Sequence, residues 1–213
     1  MITHYRFADG ALARQENLED AFWTQCEAPS TDDLFYLHQI GLDDDIVADA
    51  LDPHEVPRIE QDNGWVYFIT RLPGMGDNFN DFTTPIMVAL GSQVVTLSRE
   101  RLGRVWQPFA DRTRIRAPSQ TQLFLTMVET MLHSYQTRVA LINRQTRAVT
   151  SDVTTLRSRD IATLVEFERK LNDYLDALIP TNVALERTLS ARHKLIKLGE
   201  EDQDMVEDLS VDI

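Results

Sequence analysis

The side chains with the most obvious chemical potential stand at the end of the chain, in "GEEDQDMVEDLSVDI", Gly199 to Ile213. After Gly199 come seven carboxylates and no Lys or Arg, while Met205, Val206, Leu209 and Ile213 recur at helical spacing. Such a segment reads as an acidic amphipathic helix. The whole chain carries a formal net charge of −13 and a pI near 4.7. Counterion release, which drives nucleic-acid binding, is therefore not available on this surface. Polyanions are poor partners for it, and cations are good ones.

Motifs for catalysis are missing. His4, His38, His54, His133 and His193 form neither an HExxH nor a Cys/His pattern with zinc spacing. Gly74, Gly76 and Gly91 make neither a P-loop nor a GxGxxG, so no phosphate cradle is visible. Cys26 is the single cysteine; it cannot form an intramolecular disulfide and, in a strand-like run, reads as a buried structural thiol. Trp23, Trp65 and Trp106 read as packing residues, and His54 beside Glu55 as a turn histidine rather than a catalytic pair. By elimination the chain is not expected to be an enzyme.

The elements that must position the carboxylates fall into three stretches. The 213 residues, 43% of them hydrophobic, suffice for one domain with a real core plus additional helices. Residues 1–118 read as a mixed α/β domain. Strands are expected at "ITHYRF" and "AFWTQCE", then in two hairpins, one turning at Asn63-Gly64 and one at Gly91-Ser92. Ser30 or Thr31 can cap a helix over "DDLFYLHQI", and "LDDDIVADAL" places Ile46, Val47, Ala50 and Leu51 on one side and Asp45, Asp49 and Asp52 on another. Residues 119–199 read as a long helical hairpin. Ser119 with Gln122 forms a capping box, and Phe124 through Leu156 keep three- and four-residue spacings for about ten turns. A second stripe runs from Leu164 to Leu189, with Asp160 as its expected cap and Pro180 as an expected kink. Gly199 ends it, and residues 200–213 begin a third helix.

Charge follows the same division. Residues 1–137 hold ten basic and twenty acidic side chains, 138–197 eleven and seven, and 198–213 none and seven. No window offers the roughly 20 apolar residues of a membrane span. The start lacks the layout of a signal peptide. The expectation is a cytosolic, soluble protein or the soluble part of a larger one.

"VADALDPHEVPRIEQDNGWVYFITRLP" followed by "TPIMVALGSQVVTLSRE" resembles the cytoplasmic domain of the CorA family of divalent-cation transporters. The matching places are Asp49 on a short acidic helix, Pro57-Arg58-Ile59-Glu60 opening a strand, the aromatic Trp65-Val66-Tyr67-Phe68 and the Val94–Ser98 run. A long helical hairpin and the acidic "EDLSVD" of a stalk helix follow in the same order. The family's Gly-Met-Asn signature, between two membrane spans, does not occur in these residues.

The resemblance implies an α+β fold and a homopentamer held in the cell membrane by spans absent here, with this segment on the cytoplasmic side. It implies regulation by Mg²⁺, with Co²⁺ or another divalent cation as an alternative. Asp49 aligns with the domain-side carboxylate of the regulatory metal site. Asp208 aligns with the stalk-side carboxylate contributed across the subunit boundary, and Asp204 lies one turn earlier on the same face. Mg²⁺ takes oxygen ligands and retains waters, so one or two carboxylates per site suffice. Two other readings stay open: a zinc-transporting relative of the same architecture, and a soluble helical-hairpin scaffold that binds proteins. A helix of about fourteen residues is marginal alone in water, so residues 200–213 are expected to fray and the metal-free chain to be mostly monomeric or weakly associated.

Overall fold

The computed structural model describes residues 1–8, 11–16, 21–74, 83–102, 105–106, 119–150, 157–189, 196, 198–199, 202–203, 205–206 and 209. Seven strands come first, with two short helices among them: β1 (Ile2–Ala8), β2 (Ala11–Gln15), β3 (Trp23–Glu27), α1 (Thr31–Gln39), α2 (Asp44–Ala50), β4 (Arg58–Asp62), β5 (Trp65–Pro73), β6 (Thr83–Leu90) and β7 (Val94–Ser98). Two long helices follow, α3 (Gln120–Val149) and α4 (Ser158–Leu189). The fold is α+β, as expected.

The strands form one mixed sheet in the order β2-β1-β3-β7-β6-β5-β4. Among the described residues only β3 and β7 pair in parallel, Trp23 opposite Val94 through Glu27 opposite Ser98. The turn between β4 and β5 behaves as its residues dictate, Asn63 and Gly64 taking φ of 46° and 82°. Between β6 and β7 the loop is three residues long, not two, because Leu90 pairs with Val94. Gly91 is required there: a Cβ would stand 2.5 Å from the Trp65 ring.

Both faces of the sheet are covered, so β5 to β7 read as nearly continuous apolar runs. Alternation along β5 sends Val66, Phe68 and Leu72 toward the long helices, and Trp65, Tyr67 and Ile69 toward α1 and α2. On the long-helix side Phe68 meets Phe124 edge to face with ring centroids 5.3 Å apart, both fully buried. Truncating either to Ala would cost about 3–5 kcal/mol. The first two turns of α3, Thr121 to Val128, are buried all round.

Farther along, α3 is amphipathic. Tyr135, Val139 and Ile142 pack against Phe167, Leu171, Tyr174 and Leu178 in a separate cluster, so the two helices form an antiparallel hairpin. The Ser119 side chain accepts from the Gln122 N–H at 3.0 Å, capping α3 as expected. The start of α4 differs from expectation. The helix begins at Ser158, and Asp160, inside its first turn, accepts from the Arg157 N–H at 2.9 Å. Asp160 therefore serves as the residue that reaches back to the cap, and Arg157 stands in the cap position.

The described residues of the acidic third segment dock on their own domain. Asp202, Gln203, Met205, Val206 and Leu209 are helical, Leu209 is 3% exposed in the main core, and Met205 and Val206 pack beside it. The apolar seam of these described residues lies against the domain's own core. No helix among the described residues is long and apolar enough to cross a membrane.

Candidate functional site

Asp49 sits in the last turn of α2, a helix started by Asp43, whose side chain accepts from the N–H groups of Asp45 and Ile46 at 3.0 Å. Asp44 and Asp45 in the first turn suit the positive end of the helix dipole. Asp49 does not, since it lies at the negative end and the last turn holds no basic residue. A cation from elsewhere must compensate. That cation is Arg58, the first residue of β4.

Arg58 uses each of its three nitrogens on a different carboxylate. Its Nη2 meets Asp49 Oδ2 at 2.8 Å, Nη1 meets Glu55 Oε1, and Nε meets Glu60 Oε1. Glu60 reaches it because residues two apart share a strand face, and Glu55 because the loop before β4 brings it alongside. Burial alone would lower the Arg58 pKa, but the Glu60 hydrogen bond and the charges of Glu55, Glu60 and Asp49 raise it instead. Three carboxylates around one guanidinium leave an excess of two negative charges. Asp49 is the most open arm, its side chain 56% exposed against 16% for Glu55.

The loop carrying Glu55 is held by a second arginine. Arg71 on β5 donates to the carbonyls of Glu55, Pro53 and Thr83 at 2.8, 2.9 and 2.7 Å and to the Thr83 hydroxyl at 2.7 Å. Burial lowers its pKa, an effect without consequence for a guanidinium at ordinary pH. The Arg71 carbonyl in turn accepts from the Tyr135 hydroxyl of α3 at 2.9 Å. Beside this loop lies an open cleft of about 510 Å³, lined also by Arg169, Asp173 and Asp176 of α4. Burial, and then the charge of Asp176, push the Asp173 carboxyl up. Asp49, Arg58, the 53–57 loop and Arg71 thus form one ionic belt from α2 to the long hairpin.

Of the three carboxylates expected to bind metal, the structure describes Asp49 alone; Asp204 and Asp208 lie outside the described residues. Among those residues no three His, Cys, Asp or Glu side chains converge on a metal position. Asp49 is a partial donor set as it stands. Glu55 and Arg71 were not anticipated as neighbours of the site; the sequence signal for Glu55 is the charge of "PHEVPRIE" around Arg58, and Arg71 lies outside that stretch. Cys26 is buried with its thiol pushed up to about 12, chiefly by burial, in keeping with a structural thiol.

No curated protein matches the chain. Solved structures do. The complete CorA magnesium transporter of Methanocaldococcus jannaschii matches all of this chain with 69% of its own, at a TM-score of 0.83 and 18% identity. The soluble domain of the same transporter matches at 0.85 and 17%, with 100% and 87% covered. The ZntB cytoplasmic domain of Vibrio parahaemolyticus matches at 0.76 and 13%, with 99% and 88% covered. At these identities the likeness shows a shared fold. The family model described as "CorA-like Mg2+ transporter protein" matches residues 19–213, more than half of the chain, so the chain belongs to the CorA-like Mg²⁺ transporter family, a family of transporters and not of enzymes.

Proposed function

We propose that this chain is the cytoplasmic regulatory part of a divalent-cation transporter and that it senses Mg²⁺ at the boundary between protomers of a homopentamer. The observation that carries the reading is Asp49: a half-exposed carboxylate at the wrong end of its helix, in a cluster with two negative charges to spare. The side chains that share Arg58 with it, Glu55 and Glu60, offer carboxylate oxygens, the chemistry that suits Mg²⁺. Asp49 of one protomer would supply one oxygen and Asp208 of the next another, with Asp204 beside it and water completing the shell. Bound Mg²⁺ would hold neighbouring protomers together, and its loss would leave carboxylates facing each other. The membrane part would lie beyond these residues, and Co²⁺ would be an alternative occupant.

The likeness to the ZntB domain keeps a zinc-transporting relative as the second reading. Glu55 and Glu60, the carboxylates that share Arg58 with Asp49, favour Mg²⁺ at this position, because zinc sites draw on imidazole and thiolate. Sedimentation velocity in EDTA and in millimolar Mg²⁺ tests the proposal. Mg²⁺ should shift the chain toward a larger species, and Asp49→Asn or Asp208→Asn should abolish the shift. A distribution that ignores Mg²⁺, or a pentamer that is equally stable in EDTA, would sink the bridging role.

A further inference from the structure

We infer that Arg58 is a built-in competitor of the divalent cation at Asp49, a tethered positive charge that sets how much cation the site needs. This rests on the Mg²⁺ reading of Asp49 and goes beyond it by assigning the residue that tunes affinity. The guanidinium already stands where a cation is wanted, holding Asp49, Glu55 and Glu60 with one nitrogen each.

The three contacts are not equivalent. Glu55 is mostly buried and belongs to the loop that Arg71 clamps, and Glu60 shares a strand face with Arg58, so both partners stay put. Asp49 is on another element and is the most exposed. Its Oδ2 is committed to Arg58, while its Oδ1 has no partner among the described residues. A divalent ion arriving from solvent can take Oδ1 or draw the whole carboxylate away. Arg58 keeps two partners in either case and does not leave. The incoming ion therefore works against a fixed positive charge a few ångströms away. With water-like screening and physiological salt, a unit charge at roughly 5 Å changes the affinity of a divalent ion by about five- to tenfold. Without Arg58 the carboxylates would fill at lower cation concentration.

Calorimetric titration of the 213-residue chain with MgCl₂ at constant ionic strength separates the possibilities. Arg58→Gln should lower the apparent Kd for Mg²⁺ about five- to tenfold, and Arg58→Lys, which keeps the charge, should stay close to wild type. If Arg58→Gln does not fold, Arg58→His carries the test: its Kd should be lower at pH 8, where the imidazole is neutral, than at pH 5.5, by a margin that wild type lacks, and an equal pH dependence in the two would overturn the inference. The inference is overturned if wild type binds Mg²⁺ and Asp49→Asn does not, yet Arg58→Gln leaves Kd unchanged or raises it. A Kd raised by both Arg58→Gln and Arg58→Lys would make Arg58 a positioning residue instead. If wild type and Asp49→Asn give the same Mg²⁺ heats, the reading of Asp49 itself falls, and the assignment of Arg58 with it.

Discussion

The hydroxyls of Thr70 on β5 and Thr181 on α4 lie 2.7 Å apart, 2% and 7% exposed, at the place where the long hairpin rests on the sheet. Thr181 spends its only proton on the Ala177 carbonyl, also at 2.7 Å. Thr70 must therefore be the donor in the pair. Replacing each by the isosteric Val gives unequal expectations. Thr181→Val strands the buried Thr70 donor and should cost about 1–3 kcal/mol, whereas Thr70→Val removes one neutral hydrogen bond and should cost about 1 kcal/mol. The double variant has no stranded group, so it should be less destabilised than the two singles added together, by about 1 kcal/mol. Urea unfolding is the assay, since Trp23, Trp65 and Trp106 are all buried and report on the core. Additive costs would refute the reasoning, because they would mean that the two hydroxyls do not meet across the sheet and α4.

Two further expectations come from buried titratable groups. The His4 Nδ1 contacts the Thr24 hydroxyl at 3.0 Å, and Thr24 donates to Gln93 at 2.6 Å, so His4 must be the donor to Thr24. Burial lowers the His4 pKa below 6.5; the unfolded chain binds the proton more readily, so this stability is present above pH 6.5 and lost as pH falls below it. Urea midpoints should drop below pH 6.5 in wild type and less so in His4→Gln, and an identical drop in both would rule out His4 as the source. Cys26, 1% exposed with its thiol raised to about 12, should resist thiol reagents at pH 8 until the chain unfolds; rapid labelling of the native protein would contradict this.

Local chemistry was legible where the signal was local. Asn63-Gly64 announced its turn because positive φ suits those residues, and Ser119 announced α3 because a hydroxyl at that spacing meets an orphan N–H. β2 passed unnoticed: "ALARQ" has no β-branched or aromatic residue and is held as a strand by its pairing with β1. The parallel junction of β3 with β7 joins residues about seventy apart, and no local pattern encodes it.

The site divides in the same way. Asp49 was singled out through resemblance, from its place before "PRIE", and the helix that carries it was legible in its apolar spacing. The Arg58 cluster was not, because its carboxylates come from a helix, a loop and a strand that meet only in the fold. The described residues of the tail are helical, but the amphipathic spacing could not say that Leu209 would close on its own domain. A helix's apolar seam states that something covers it, not what does.

The claim that matters most is a Mg²⁺-specific site at Asp49, and thermal melting with MgCl₂ against NaCl at matched ionic strength addresses it directly. A ligand bound only to the native state at ten times its Kd adds about 1.4 kcal/mol, or roughly 3–6 °C for a chain of this size. Simple screening acts equally in both salts. The account predicts a rise of that order with MgCl₂ over NaCl for wild type, and no such difference for Asp49→Asn. Equal melting temperatures of wild type in the two salts, or an undiminished Mg²⁺ effect in Asp49→Asn, would contradict it.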